Sequence, residues 1–402
     1  MEHVSPCAFD RIVAPLSRES FLSEHWGKSF VRVRGQAGRF ESMLSWSELN
    51  SILEECRLEP PRLRLFRDGT AIEAERYVAQ KGGLLRLKAA SLVNCLAEGA
   101  TLILDSIHEL APGVREVAES CQDVLRAETE VNLYASWRTQ AGFGLHWDAQ
   151  DTMILQVSGR KHWKVYRPTR LHPLTDDIEK PPQPTEAPDW DGILEDGDMI
   201  YLPRGWWHVA VPLDEPSLHL TVTILPATGQ DLIGWFMSDL KRRAEVRMNV
   251  PHLASVADQK SYVSGMRKLV LESWDDDILE RFLAERESNF FVRSKINLPL
   301  APIECTMSIA METRVRLAAN HRLSFLKGVG NSVTFHANGV LWHCAADFAA
   351  ALGHLEGTTC RSVGQLCAQL PDQSATSRLI AFLTALAIGG AIWIERPAPC
   401  QG

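Results

Sequence analysis

From Val131 to Leu225 the chain alternates apolar and polar residues in short bursts, each cut off by Gly, Pro or Asp. VNLYASW, TMILQVSG, KHWKVYRP, GDMIYLP and SLHLTVTIL carry the period of two that sends successive side chains to opposite faces of a sheet. No helical pattern separates them, which predicts an antiparallel barrel or double-sheet roll rather than a parallel sheet. Ser158-Gly159, between two of the bursts, predicts a hairpin turn. The flanks keep a different rhythm. Residues 11–60 read as helical: SRESFLSEHW sets Phe21, Leu22, His25 and Trp26 at helical spacing, and LSWSELNSIL repeats the pattern. After Pro226 three apolar stripes recur with the helical period. They are Leu232, Trp235, Phe236 and Leu240; Tyr262, Val263, Met266, Leu269 and Val270; and Ile278, Leu279, Phe282 and Leu283.

These stripes hold more large apolar residues than a solvent-facing bundle needs. Either they make a dimer interface or they pack on the β core. INLPLAP (296–302) reads as a linker. Beyond it, RVRLA and NSVTFHANGVLWHC read as strands, AADFAAALGHL, SVGQLCAQL and SATSRLIAFLTALA as helices, and AIWIE closes the chain as a strand. That mixture suits a small winged-helix-like α+β domain. The expected division is 1–228, 229–303 and 304–402.

Composition narrows the class. The chain has 402 residues, 45% hydrophobic and 23% charged, enough for a sizeable core. A net charge of -8 argues against a general nucleic-acid binder and would suit a basic protein partner. The last unit is too evenly charged to suggest direct nucleic-acid binding. Nine scattered cysteines without a Cys-x-x-Cys pair are neither a disulfide framework nor a zinc ribbon. MEHVSPCAFD has no apolar signal segment. The apolar run from Leu379 to Ile394 is 16 residues long and broken by Gly389-Gly390, so it reads as a buried helix, a turn and a strand rather than a membrane span. A cytoplasmic protein is expected.

Candidate chemistry begins at GFGLHWDAQD. His146 and Asp148 are two apart, so in an extended segment both face one side. LEDGDMIYLPRGWWHVAV adds a tight Asp196-Gly197-Asp198 turn, a kink at Pro203-Arg204-Gly205, and His208 among aromatic residues. A histidine in such surroundings is more often a core residue than a ligand. Together, though, His146, Asp148 and His208 form a set of two histidines and one carboxylate, which suits Fe(II) and leaves three coordination positions open. Zinc accepts similar ligands. Lys161 alternates with His162 and shares a face with Trp163 and Val165, expected to be interior. A lysine there needs an anionic partner. Asn132 and Tyr134 share one face of VNLYASW and bring an amide and a phenol.

The series NLY, GFGLHWDAQDTMILQVSGRKHW, GDMIYLPRGWWHVAV and SLHLTV closely resembles the JmjC-type cupin oxygenases. Within them it is most similar to the ribosomal-oxygenase group of 2-oxoglutarate- and Fe(II)-dependent protein hydroxylases. The resemblance covers residues 10–230 in motif order, and more loosely the remainder. It implies a double-stranded β-helix (cupin jelly roll) catalytic core with helical additions, a helical dimerisation region and a C-terminal winged-helix domain. It implies iron on His146, Asp148 and His208, the far carboxylate of 2-oxoglutarate on Lys161 and Tyr134, and Asn132 lining the same site. Ser217 and His219 fall near family active-site positions, and Trp137 near the substrate entrance. Asp151 matches the motif and is expected to be structural.

The implied reaction uses O2 to decarboxylate 2-oxoglutarate to succinate and to hydroxylate an amino-acid side chain, most naturally in a ribosomal or other basic protein. One departure is Ala135-Ser136-Trp137, where the family commonly has a proline-containing loop. Three alternatives stay open: an N-methyl demethylase, a hydroxylase of a peptide or small-molecule intermediate, and a catalytically silent cupin scaffold. Seven of the twelve tryptophans lie between 137 and 235 and could wall a dry pocket. His336, His343, Cys344, His354 and Cys360 invite a zinc reading, but their spacing fits no finger. Asp275-Asp276-Asp277 reads as a helix N-terminal cap.

Overall fold

The computed structural model describes residues 7–177, 181–290, 297, 309–318, 323, 325–327, 330–355, 360–368, 370 and 372–395. The chain divides into two units, Met1–Pro226 and Ala227–Gly402.

In the first unit the strands are β1 (Val31–Val33), β2 (Leu63–Arg67), β3 (Thr70–Ala71), β4 (Val78–Lys81), β5 (Leu84–Leu87), β6 (Thr101–Leu104), β7 (Glu128–Ser136), β8 (Asp151–Ser158), β9 (Lys161–Tyr166), β10 (Trp190–Leu194), β11 (Met199–Leu202), β12 (Trp207–Pro212) and β13 (Ser217–Leu225). Eight of them form one sheet, in the order β1-β11-β8-β13-β7-β6-β2-β3. A second sheet runs β10-β9-β12. All these pairings are antiparallel, as the short bursts predict. β8 is buried from Asp151 to Val157 because both its faces are covered. Met153, Leu155 and Val157 enter the main core, while Thr152 and Ile154 line a cavity. Each fully buried aliphatic side chain on this strand stabilises by about 1.5–3 kcal/mol.

Ser158-Gly159 makes no hairpin. β8 and β9 lie in different sheets, and the turn carries the chain from one to the other. Gly159 has φ +67, and a Cβ there would meet the Pro216 carbonyl oxygen at 2.0 Å. Close approach of backbones, rather than strand pairing, requires the glycine. The segment 11–60 is only partly helical. Trp46–Glu55 is a helix capped by Ser45, which accepts from Glu48 N, and it buries Leu49 and Ile52. Between the helices, β1 pairs with β11 as the sheet's edge strand. Ala135 and Ser136 lie in β7, not in a loop, and are buried.

In the second unit, Gly229–Leu240 starts with a capping box between Thr228 and Asp231. Phe236, Leu240 and Ile278 are buried together. The helix Val256–Ser273 buries no residue. Ahead of Ile278–Ser288, Asp277 makes no side-chain cap. Asp275 instead accepts from Asp277 N at 3.1 Å and pairs with Arg281 at 2.8 Å. Further on, Arg314–Leu317 pairs with Arg361–Ser362 and Ile392–Ile394. Ser332–Ala337 pairs with Val340–Ala345. Helices Ala346–Gly353, Val363–Cys367 and Gln373–Ile388 pack on these strands around one core. The apolar run is a helix, a Gly389-Gly390 turn and a strand, as read from the sequence. The linker 296–302 lies outside the described residues except for Asn297. No helix of the described residues is long and apolar enough to cross a membrane.

Candidate active site

Between the two sheets lies a cavity of about 470 Å³. The inward period-two faces of β7, β8, β9, β12 and β13 line it, which explains its mixed wall of hydroxyl, aromatic and charged groups. His146, Asp148 and His208 meet at it, and their ligand atoms lie within 4.8 Å of one another. Backbone pairing brings the two histidines together across a long stretch of sequence. His146 N donates to His208 O at 3.1 Å and His208 N donates to His146 O at 2.7 Å. The Gly205 N–H, at the Pro203-Gly205 kink, donates to the Asp148 carbonyl at 2.8 Å.

The histidines are also oriented. His146 Nδ1 lies 2.8 Å from Gly144 O, and His208 Nδ1 lies 3.1 Å from Trp206 O. A carbonyl only accepts, so both Nδ1 atoms carry a proton, and in the neutral imidazole that leaves Nε2 with the lone pair a metal needs. His208 Nε2 stands 3.6 Å from Asp148 Oδ2. Burial pushes the His208 pKa down, which favours the neutral ligand form. Two neutral nitrogens and one carboxylate facing a cavity fit a divalent ion. Among the described residues this is the only group of three or more His, Cys, Asp or Glu able to hold one, so the zinc reading of the C-terminal histidines and cysteines finds no cluster there.

The remaining expected residues divide. Lys161, Tyr134, Asn132 and His219 all line the cavity. Lys161 is buried with Trp163 and Val165 on the inner face of β9, and burial drives its pKa down to about 7. Tyr134 is a neutral phenol pushed up to about 12 by burial. Asn132 spends its side-chain carbonyl on Ser106 N at 2.9 Å. Ser217 lies off the cavity wall, its hydroxyl accepting from Gln156 Nε2 at 3.1 Å. Trp137 packs on Trp46 with ring centroids 5.6 Å apart, also off the wall. Asp151 is no member of the ligand group. It is buried and accepts from Tyr201 Oη at 2.5 Å and Arg204 N at 2.9 Å, which anchors the kink before His208. Burial raises its pKa against the pull of those two donors.

Thr101, Glu130, Ser136, Thr221 and Thr223 line the cavity as well, without any motif in the sequence that marks them as site residues. Glu130 and Ser136 continue the face of Asn132 and Tyr134, so the period alone could have found them.

Residues 110–232 match the JmjC domain family. That stretch is similar to a JmjC domain. All three candidate metal ligands and Lys161 fall within it. Curated relatives include the bifunctional lysine-specific demethylase and histidyl-hydroxylase NO66 of Drosophila persimilis, 26% identical over 218 residues, which cover 53% of this chain and 31% of the relative. Ribosomal oxygenase 1 of Rattus norvegicus is 29% identical over 224 residues, covering 54% and 36%. The chain thus spans about a third of these relatives' length. A solved structure of the Escherichia coli ribosomal oxygenase YcfD, in complex with cobalt and 2-oxoglutarate, superposes with a TM-score of 0.60 at 20% identity. It covers 95% of this chain and 99% of that one. At that identity the likeness is one of fold, and it extends past residues 110–232 into the second unit.

Proposed function

We propose that the protein is a 2-oxoglutarate- and Fe(II)-dependent oxygenase that hydroxylates an amino-acid side chain of a protein, foremost a ribosomal protein. The observation that carries this reading is one cavity of a JmjC domain holding both a metal-ligand triad and a buried lysine. In this reading His146, Asp148 and His208 hold the iron. Iron bound there supplies the activation of O2 by which 2-oxoglutarate is decarboxylated and a C–H bond oxidised.

The chain's own residues do the rest. Lys161 meets the far carboxylate of 2-oxoglutarate with a charge-assisted hydrogen bond, and the Tyr134 hydroxyl donates beside it. Trp163 sits between His208 and His219, at ring distances of 6.1 and 5.9 Å, and keeps water from the wall that joins the two ends of the site. The names of the relatives, ribosomal oxygenase and histidyl-hydroxylase, support a protein substrate. The same names keep demethylation as the second reading.

The second unit supports a homodimer. Leu253, Val256 and Leu271 are 90%, 69% and 68% exposed on and beside a helix that buries nothing. A surface of that kind favours a partner. The three-part division, with a winged-helix-like end and no direct role in nucleic-acid binding, and a cytoplasmic location belong to the same proposal. Its test is mass spectrometry of ribosomal-protein peptides incubated with the enzyme, Fe(II), 2-oxoglutarate and O2. A gain of one oxygen supports hydroxylation. Loss of a methyl group would establish the demethylase, and no change on any peptide would refute a ribosomal target.

A further inference from the structure

Lys161 opens β9 and His219 lies in β13, on different sheets, yet their side chains meet in the cavity wall with Nζ 3.1 Å from Nδ1. They are 3% and 4% exposed. Among the described residues the ammonium makes this one hydrogen bond and no ion pair. A buried ammonium with only a neutral acceptor costs free energy until an anion joins it.

Among the described residues the surroundings supply no such anion. Beside Lys161 stand Leu194 of β10 and Pro212 of β12. The other ionisable groups lining the cavity are Glu130, Tyr134, His146, Asp148 and His208, and none of them offsets the burial of Lys161. His219 itself is held on two sides. Its ring stacks on Tyr134, its cross-strand neighbour, at 5.0 Å and 4°, and meets Trp163 edge-on at 5.9 Å and 74°. The register of β13 against β8 shifts between Leu218 and His219, a local irregularity that re-aims the side chain. So fixed, the imidazole offers Nδ1 to the ammonium and keeps its own proton on Nε2.

We propose that His219 is a positioning residue. As a neutral acceptor it aims the Lys161 ammonium at the far carboxylate of a bound dicarboxylate, and filling the site draws a proton from solvent onto Lys161. The inference rests on the 2-oxoglutarate reading of the cavity. It fits the direction of both groups, since burial lowers Lys161 to about 7 and holds His219 well below its ordinary range. An arriving carboxylate restores the charged lysine and leaves the histidine neutral.

The test is calorimetric titration of 2-oxoglutarate into the Mn(II)-loaded protein, anaerobically, at pH 6 and pH 8 in buffers of different ionisation enthalpy. Wild type is expected to take up almost no proton at pH 6 and about one at pH 8. His219→Leu removes the acceptor and is expected to weaken 2-oxoglutarate by about tenfold or more. His219→Asn puts an amide oxygen where Nδ1 stood and is expected to restore most of the affinity. His219→Gln reaches to the Nε2 position and is expected not to. All variants should bind 2-oxobutyrate, which lacks the far carboxylate, as wild type does, which also shows that they fold. No proton uptake at pH 8, or His219→Leu binding 2-oxoglutarate like wild type while Lys161→Ala does not, would overturn the inference and leave the oxygenase reading standing. Failure of wild type to bind 2-oxoglutarate would sink both.

Discussion

Replacing Asp151 tests how the fold sets the metal ligands without being one of them. Its carboxylate is 1% exposed and serves two donors, Tyr201 Oη at 2.5 Å and Arg204 N at 2.9 Å. Asp151→Asn keeps the volume but leaves one oxygen for two donors, so an amide N–H must face either the hydroxyl or the backbone N–H. A hydrogen bond to a charged group contributes about 1.5–3 kcal/mol, and a buried group left unsatisfied costs about 1–3 kcal/mol. The expected loss is about 2–4 kcal/mol. Tyr201→Phe leaves the Arg204 bond intact but removes one donor from Asp151 and the acceptor of Gly27 N–H, which Tyr201 Oη meets at 2.8 Å, so a loss of about 2–4 kcal/mol is expected there as well. For a unit of this size each kcal/mol lowers Tm by roughly 2–4 °C, measurable by tryptophan fluorescence on heating. The change should also reach the metal. Arg204 sits in the kink whose Gly205 N–H holds the Asp148 carbonyl, so Asp151→Asn should weaken Mn(II) binding as well. An Asp151→Asn protein with wild-type Tm and wild-type metal affinity would refute this account of the kink.

Three further outcomes are expected. Adding Mn(II) at about a hundred times its Kd should stabilise wild type by about 2.7 kcal/mol, read as a rise in Tm, and a chelator should reverse it; His208→Ala should show neither effect. Affinity for 2-oxoglutarate should be flat below the Lys161 pKa of about 7 and fall above it, by about tenfold per pH unit as the cation is lost; in Lys161→Met the slope should vanish. Leu253→Glu with Leu271→Glu should convert a dimer to a monomer in analytical ultracentrifugation and leave 2-oxoglutarate binding unchanged, since both residues are exposed in the second unit; a wild-type monomer would contradict the dimer.

The β core was legible because its strands are short, alternating and sharply bounded. The faces followed from the same period, which put Lys161 inside and Asn132 beside Tyr134. What failed was what needs two sheets to exist. Ser158-Gly159 has the residues of a hairpin turn, but the carbonyl of Pro216, far along the chain, is what demands the glycine. β12 carries no strand signal because Trp207, His208 and the run Val209-Ala210-Val211 do not alternate in polarity. β1 was lost in a segment whose helical spacing dominates. Ala135 and Ser136, where the resemblance sets a proline-containing loop, continue the strand that VNLYASW predicts, and Ala135 pairs with both Leu102 and Leu218 inside the sheet. The triad was legible only as a set, since each member alone has an ordinary structural explanation. The Lys161–His219 contact was not legible at all: it joins residues 58 positions apart on facing sheets.

The most direct measurement is succinate formation from 2-oxoglutarate by anaerobically purified protein given Fe(II) and then O2, with the peptide that gains oxygen as substrate. Wild type is expected to form succinate in step with peptide hydroxylation, and His146→Ala and Lys161→Ala to form neither product. Hydroxylation that persists in both variants, or succinate formed equally by all three proteins, would contradict the assignment of this cavity as the active site.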